Sequence, residues 1–362
     1  MMQQKETQIV ALNKDHLERA YEQEQLAYAA RLLHAGEIVV FPTETVYGLG
    51  ANALNPRAAE KIFLAKERPF SDPLIVHIAD EQGLESLVAS IPAAARQLAA
   101  AFWPGPLTMI LPAGPQVPGL ITSGLPNVAV RMPDHPIARA LIRAAGIPVA
   151  APSANRFMHV SPTTAQHVYD DLKGRIPLIL DGGPCTVGVE STIIDLCTDI
   201  PTILRPGGIS LEALRQVLPQ VQPPQSRQTH TEDLETARVA PGQMLIHYSP
   251  KVPTYLFEGS VEAMRQTILD EVKQRQRQGE QVGVLIADED LNAFHESGAI
   301  VYSLGNTLEQ VATRLFAGLR TLEDAGVDVI LCRNFTAQGL GLAVRDRLLK
   351  AAGGKVKTLN NT

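Results

Sequence analysis

Three cysteines in 362 residues (Cys185, Cys197 and Cys332) form no CxxC and leave no even set to pair. That excludes a disulfide framework and a zinc knuckle, and it suits a reducing cytoplasm. No stretch approaches the roughly 18 consecutive apolar residues that a membrane span needs. The opening Met-Met-Gln-Gln-Lys-Glu-Thr-Gln has no apolar centre of the signal-peptide kind. A cytoplasmic chain without a membrane partner is expected. A basic excess is also missing: 32 Lys and Arg face 38 Asp and Glu, a net charge of −6. Residues 1–210 hold 16 against 20 and residues 211–362 hold 16 against 18, so neither half hides a pole. Affinity for a phosphate backbone comes from Lys and Arg displacing counterions, so a dedicated nucleic-acid binder is not indicated. A local basic groove and weak RNA binding stay open. Also missing are GxxxxGK[ST], HExxH, GxSxG and any clustered metal ligands. Gly48–Ala53 fits GxGxxA, but Asn55-Pro56 starts the next helix too late for a dinucleotide loop. Any nucleotide chemistry must be done by dispersed polar side chains.

What is present predicts two domains, the natural outcome for a chain of this length with 45% hydrophobic and 19% charged residues. From about 20 to 218, apolar strands are expected at 38–43, 74–79, 107–112, 128–132, 149–151, 178–181, 192–196 and 203–205. Helices are expected at 56–66, 92–102, 136–145, 163–172 and 211–217, three of them starting at or near Pro. Several strands follow one another directly, which predicts an α+β domain with a mixed, twisted sheet over 1–218. Residues 219–250 are polar and rich in Pro and Gln, a linker whose exit, HYSP at 247–250, suggests a functional loop. Residues 251–362 alternate strand and helix regularly, predicting a smaller α/β, Rossmann-like domain.

Five polar segments sit at expected strand or helix ends, where sites tend to gather. Taken singly, PTETVYGLG (42–50) reads as a glycine turn, and Lys66-Glu67-Arg68-Pro69 as cations capping a helix dipole. His77 reads as a structural strand histidine, and APSAN (151–155), GVEST (188–192) and LRPG (204–207) as turns. Their alternative is a ligand site. Lys66 and Arg68, halted by Pro, make a fixed pair of positive charges suited to a triphosphate. The small residues of 151–155 permit close approach of a ligand to backbone.

In this order the segments resemble the threonylcarbamoyl-AMP synthase (YrdC-like) family in its long, two-domain form. Its KxR…SxN hallmark is met by Lys66, Arg68, Ser153 and Asn155. DPLIVH at 72–77, WPGPLT at 103–108 and VAVRMP at 128–133 extend the likeness over nearly all of 30–210. The resemblance implies that L-threonine, bicarbonate and ATP, with Mg²⁺, give L-threonylcarbamoyl-AMP and pyrophosphate. A tRNA-modifying threonylcarbamoyl transferase would then use the product to make threonylcarbamoyl-adenosine at tRNA position 37. It further implies that Thr45, His77, Arg131, Ala151 and Ser191, with Thr43 beside them, line a threonine pocket. Arg68, Asp72, Asn127, Ser153, Ser161 and Arg205 would surround ATP, Lys66 and Asn155 completing a basic cradle. His247 and Tyr248 would close over the nucleotide. Asp72 stands where the family often has Asn. The rival reading is an RNA-binding module of the same fold without catalysis.

Overall fold

The computed structural model describes residues 6–224 and 248–359. The chain divides into two compact units, one of 1–157 and 161–243, the other of 158–160 and 244–362.

The first unit holds a ten-stranded sheet. Its strands are β1 (Gln8–Ala11), β2 (Val39–Phe41), β3 (Gly48–Asn52), β4 (Ile75–His77), β5 (Leu107–Pro112), β6 (Asn127–Arg131), β7 (Val149–Ala150), β8 (Leu178–Asp181), β9 (Thr192–Asp195) and β10 (Thr202–Arg205). Their order is β1-β8-β2-β3-β7-β4-β6-β5-β9-β10, with parallel and antiparallel pairs mixed as the direct strand-to-strand succession predicts. Successive residues of a strand face opposite sides of a sheet. Accordingly Ile38 and Val40 enter one apolar cluster with Leu49, Val76 and Val130, while Val39 and Phe41 enter another with Val149, Leu178 and Leu180. Helices Pro56–Lys66 and Ala93–Phe102 pack in the first cluster, and Ala20–His34 and Pro136–Ala145 in the second.

Several elements here depart from the sequence reading, the short helices Glu81–Glu85 and Gly119–Thr122 among them. β1, short and with three of its four residues exposed and the fourth half-buried at the sheet edge, carries no apolar run to announce it, and helix Ala20–His34 is not separately expected. Gly48–Asn52 is a strand, not a glycine turn or a phosphate loop. A Cβ on Gly50 would sit 2.7 Å from the Phe41 ring and 2.8 Å from Val149 Cγ1, so glycine serves close strand packing.

The second unit holds β11 (Thr254–Glu258), β12 (Val282–Ile286), β13 (Ile300–Ser303), β14 (Val329–Arg333) and β15 (Val356–Thr358). All pairs are parallel, in the order β13-β12-β14-β11-β15. The α/β expectation agrees with this. The order differs from the 3-2-1-4-5 of a Rossmann sheet, because the fourth strand of the unit lies between the second and the first. Phe257, Ile268, Val284 and Leu331 form its core. Among the described residues no helix is long and apolar enough to cross a membrane.

Candidate functional site

Strand register sets the heart of the site. His77 of β4 pairs with Arg131 of β6, and Arg131 with Thr108 of β5, so three polar side chains stand in one row on one sheet face. Their strand neighbours Val76, Val130, Leu107 and Met109 all face the other side, in the larger core. On the side of the row, apolar residues form separate clusters: one around Phe41, Val149 and Ala151, another of Ile75, Ile110, Ala129 and Ile193. All three members of the row are buried, Arg131 with only 4% exposure.

Loops bring further polar groups to this row. The turn after β2 is closed by Thr43, whose Oγ1 accepts from the Thr45 and Val46 amides at 3.2 Å and donates to Val46 O at 2.6 Å. The Thr43 and Thr45 hydroxyls are 2.8 Å apart, and Arg131 Nη1 donates to Thr45 Oγ1 at 2.9 Å. Arg131 Nε donates to Gly105 O, and Nη2 lies 2.6 Å from Glu44 Oε1. On the other side Thr108 Oγ1 meets Ser191 Oγ at 2.7 Å, and Arg205 donates to Ser191 O and Oγ. Close backbone approach makes this last contact possible: a Cβ on Gly207 would fall 2.3 Å from Glu190 O and 2.4 Å from Thr192 N. Ser161 donates to Glu190 at 2.5 Å. Residues spread from 43 to 205 thus form two hydrogen-bonded groups, Thr43–Thr45–Arg131 and Thr108–Ser191–Arg205, which the β5–β6 register sets side by side.

The KxR and SxN segments also meet. Helix Pro56–Lys66 starts at Asn55, whose side chain accepts from the Arg57 and Ala58 amides, and ends at Glu67 in the left-handed region, φ 58°. Buried Lys66 donates through Nζ to Ser153 O and Asn155 O, at 2.6 and 2.5 Å. Main-chain carbonyls, not the Ser and Asn side chains, make the link. Ser153 also bridges Gly48 across the strands. Arg68 donates to Asp72 O and Pro73 O and pairs with the Asp72 carboxylate at 3.0 Å. Asp72, expected at ATP, is the ion-pair partner of Arg68, which is expected there too. Burial, then the Arg68 charge, hold the Lys66 ammonium well below its ordinary pKa. Burial likewise lowers His77 to about 3, with the Arg131 charge second, so the imidazole is neutral at pH 7.

The remaining expectations are placed less centrally. Ala151 packs by Gly48, its amide bonded to Ile75 O. Asn127 opens β6 at the end opposite Arg131, about 13 Å along the strand at ~3.3 Å per residue. Tyr248 lies in the second unit, where its ring packs 5.5 Å from that of Phe316 and 5.0 Å from the Arg347 guanidinium. His247 and residues 225–247 of the linker lie outside the described residues. Glu44, Thr108 and Glu190 were not singled out from the sequence. Each sat inside a quoted segment, and their only signal was a polar residue in an otherwise buried strand or turn. Among the described residues no three His, Cys, Asp or Glu side chains gather as metal ligands.

A family model described as "Telomere recombination" matches residues 31–207, and one described as "Threonylcarbamoyl-AMP synthase, C-terminal domain" matches 209–353. The threonylcarbamoyl-AMP synthase of Bacillus subtilis is 46% identical over 92% of this chain and 94% of its own length. This chain belongs to the threonylcarbamoyl-AMP synthase family. The family member of Pyrococcus abyssi is 44% identical over 92% of this chain and 96% of its own. The crystal structure of P. abyssi Sua5 complexed with L-threonine superposes with a TM-score of 0.89 at 41% identity, covering 98% of this chain and all of that one. The two-unit architecture is thus that of a solved family member.

Proposed function

We propose that this chain is an L-threonylcarbamoyladenylate synthase, converting L-threonine, bicarbonate and MgATP to L-threonylcarbamoyl-AMP and pyrophosphate. The observation that carries the reading is the pair of buried hydrogen-bonded groups, Thr45–Arg131 and Thr108–Ser191–Arg205, that the β5–β6 register sets side by side in the unit that also holds the Lys66–Ser153–Asn155 junction. A sheet that buries an arginine in a row of hydroxyls and a neutral histidine offers a polar ligand much and an apolar one little.

In this reading Arg131 meets the threonine carboxylate, for which a planar guanidinium is suited. Thr43, Thr45, His77 and Ser191 surround the rest of the amino acid. Lys66, Arg68 and Arg205 face the phosphates, with Ser153, Asn155 and Ser161 near them. Carbamate formation joins the threonine nitrogen to the bicarbonate carbon with loss of water. The carbamate oxygen then attacks the α-phosphorus, and the α–β bridging oxygen leaves with pyrophosphate. Such a transfer asks the protein chiefly for alignment and for positive charge on the departing group. Magnesium belongs to the nucleotide substrate. The product, a mixed anhydride, must be passed to a tRNA-modifying threonylcarbamoyl transferase before water destroys it. Tyr248 and His247 belong to this proposal as residues closing on the nucleotide, and Asn127 as a more distant ATP contact.

Purified protein with MgATP should release pyrophosphate only when threonine and bicarbonate are both supplied. Release that ignores either one would contradict the assignment. Salt-sensitive RNA binding without such release would favour the RNA-binding rival.

A further inference from the structure

The amino-acid site contains one strong charge that the proposed chemistry has not used. Glu44, between Thr43 and Thr45, is 6% exposed, yet neither of its carboxylate oxygens has a hydrogen-bond partner. Its Oε1 lies 2.6 Å from Arg131 Nη2, and that nitrogen too has no hydrogen-bond partner. The two opposite charges touch, but their hydrogens and lone pairs are not aimed at each other. Buried charges left short of hydrogen bonds are costly, so such a pair calls for a ligand. Two further neighbours of Glu44 add no positive charge. His135, which feels the Glu44 charge, is held neutral by burial with a pKa lowered to about 4, and the Cys185 thiol beside it is pushed up by burial and stays protonated. Nor can the carboxylate swing away cheaply: the Glu44 carbonyl accepts from the Val187 amide at 2.7 Å, and Thr43 pins the turn around it.

We infer that Glu44 receives the ammonium group of the amino-acid substrate, so that Glu44 and Arg131 together read a zwitterion. A free amino acid carries one anion and one cation about two bonds apart, and it completes both unfinished groups at once. Glu44 is then a specificity-determining residue. It favours α-amino acids over hydroxy acids of the same shape, which would leave its carboxylate without a hydrogen-bond donor. This rests on the threonine-site reading above.

The test is calorimetric binding of L-threonine and of 3-hydroxybutanoate, the same molecule without its amino group, to the full chain. Wild-type protein should prefer threonine by about 10- to 100-fold, the scale of a hydrogen bond to a buried charge. Glu44→Gln should erase that preference, chiefly by weakening threonine. If Glu44 only orients Arg131, the variant would weaken both ligands equally and keep the preference, which overturns the inference. Should Glu44→Gln fail to fold, Glu44→Asp withdraws the charge by one methylene. It should cut the preference several-fold, and an unchanged preference with Asp is equally fatal. A wild type that binds neither ligand and releases no pyrophosphate refutes the functional reading. Normal turnover with a preference indifferent to Glu44 refutes this inference alone.

Discussion

Lys66 is the residue whose burial asks most of the fold. Its ammonium gives up water for two carbonyls, Ser153 O and Asn155 O, and stands near Arg68. Lys66→Ala would leave both carbonyls without their donor, costing about 1–3 kcal/mol of stability. On the role proposed for Lys66 at the phosphates, pyrophosphate release should also fall about 10²-fold. Urea unfolding and a coupled pyrophosphate assay check the two effects separately. Lys66→Arg should not rescue, since a planar fork cannot converge on two carbonyls as a compact ammonium does. Two histidines set the acid limit. His77 and His135 titrate near 6.5 in an unfolded chain but near 3 and 4 when folded, burial being the main cause in both. Between about 6.5 and 4 the unfolded chain therefore binds more protons. Stability is intact above 6.5 and falls as pH drops through that window, by up to about 1.4 kcal/mol per pH unit for each histidine. Urea midpoints taken from pH 7.5 to 4.5 should show the decline, with a shallower slope for His77→Gln. An unchanged slope would remove His77 from this role.

Elements matter here through where they deliver side chains. β9 and the end of β10 must nearly touch for Arg205 to reach Ser191, and Gly207 permits it. Gly207→Ala would drive a methyl group into the backbone of 190–192, with no flexible side chain to yield. Loss of about 1–3 kcal/mol, typical of overpacking, is expected together with weaker threonine and ATP binding. Wild-type affinities in that variant would detach Arg205 and Ser191 from the site. Most elements were legible in the sequence because their apolar period was clear. Helix Pro136–Ala145 is an example, its Ile137, Ala138, Leu141 and Ile142 all falling on one buried face. β3 was not legible: Gly-Leu-Gly carries the signature of a turn, and its glycines are explained by the Phe41 ring, Val149 and Ala151 on the neighbouring segments. β1 and β15 escaped because short edge strands have little hydrophobic pattern to show.

At the scale of the whole molecule, two units with separate apolar cores share one chain, and the polar row with its hydrogen-bonded groups lies in the first. The segments that compose it could be recognised one by one. What local sequence withheld was how they connect. Nothing around Arg131 announces that register sets it between His77 and Thr108, or that Glu44, 87 residues earlier in the chain, would face it. Nor does KxR…SxN reveal that backbone carbonyls make the junction. Such long-range pairings follow from strand order, and strand order in a mixed sheet is only weakly constrained by local pattern. The most direct measurement supplies the full chain with ¹³C-bicarbonate, L-threonine and MgATP and analyses the products by mass spectrometry. The label should appear in the carbamoyl carbon of threonylcarbamoyl-AMP, in step with pyrophosphate. Labelled adenylate absent while ATP is consumed, or threonyl-AMP in its place, would contradict the assignment.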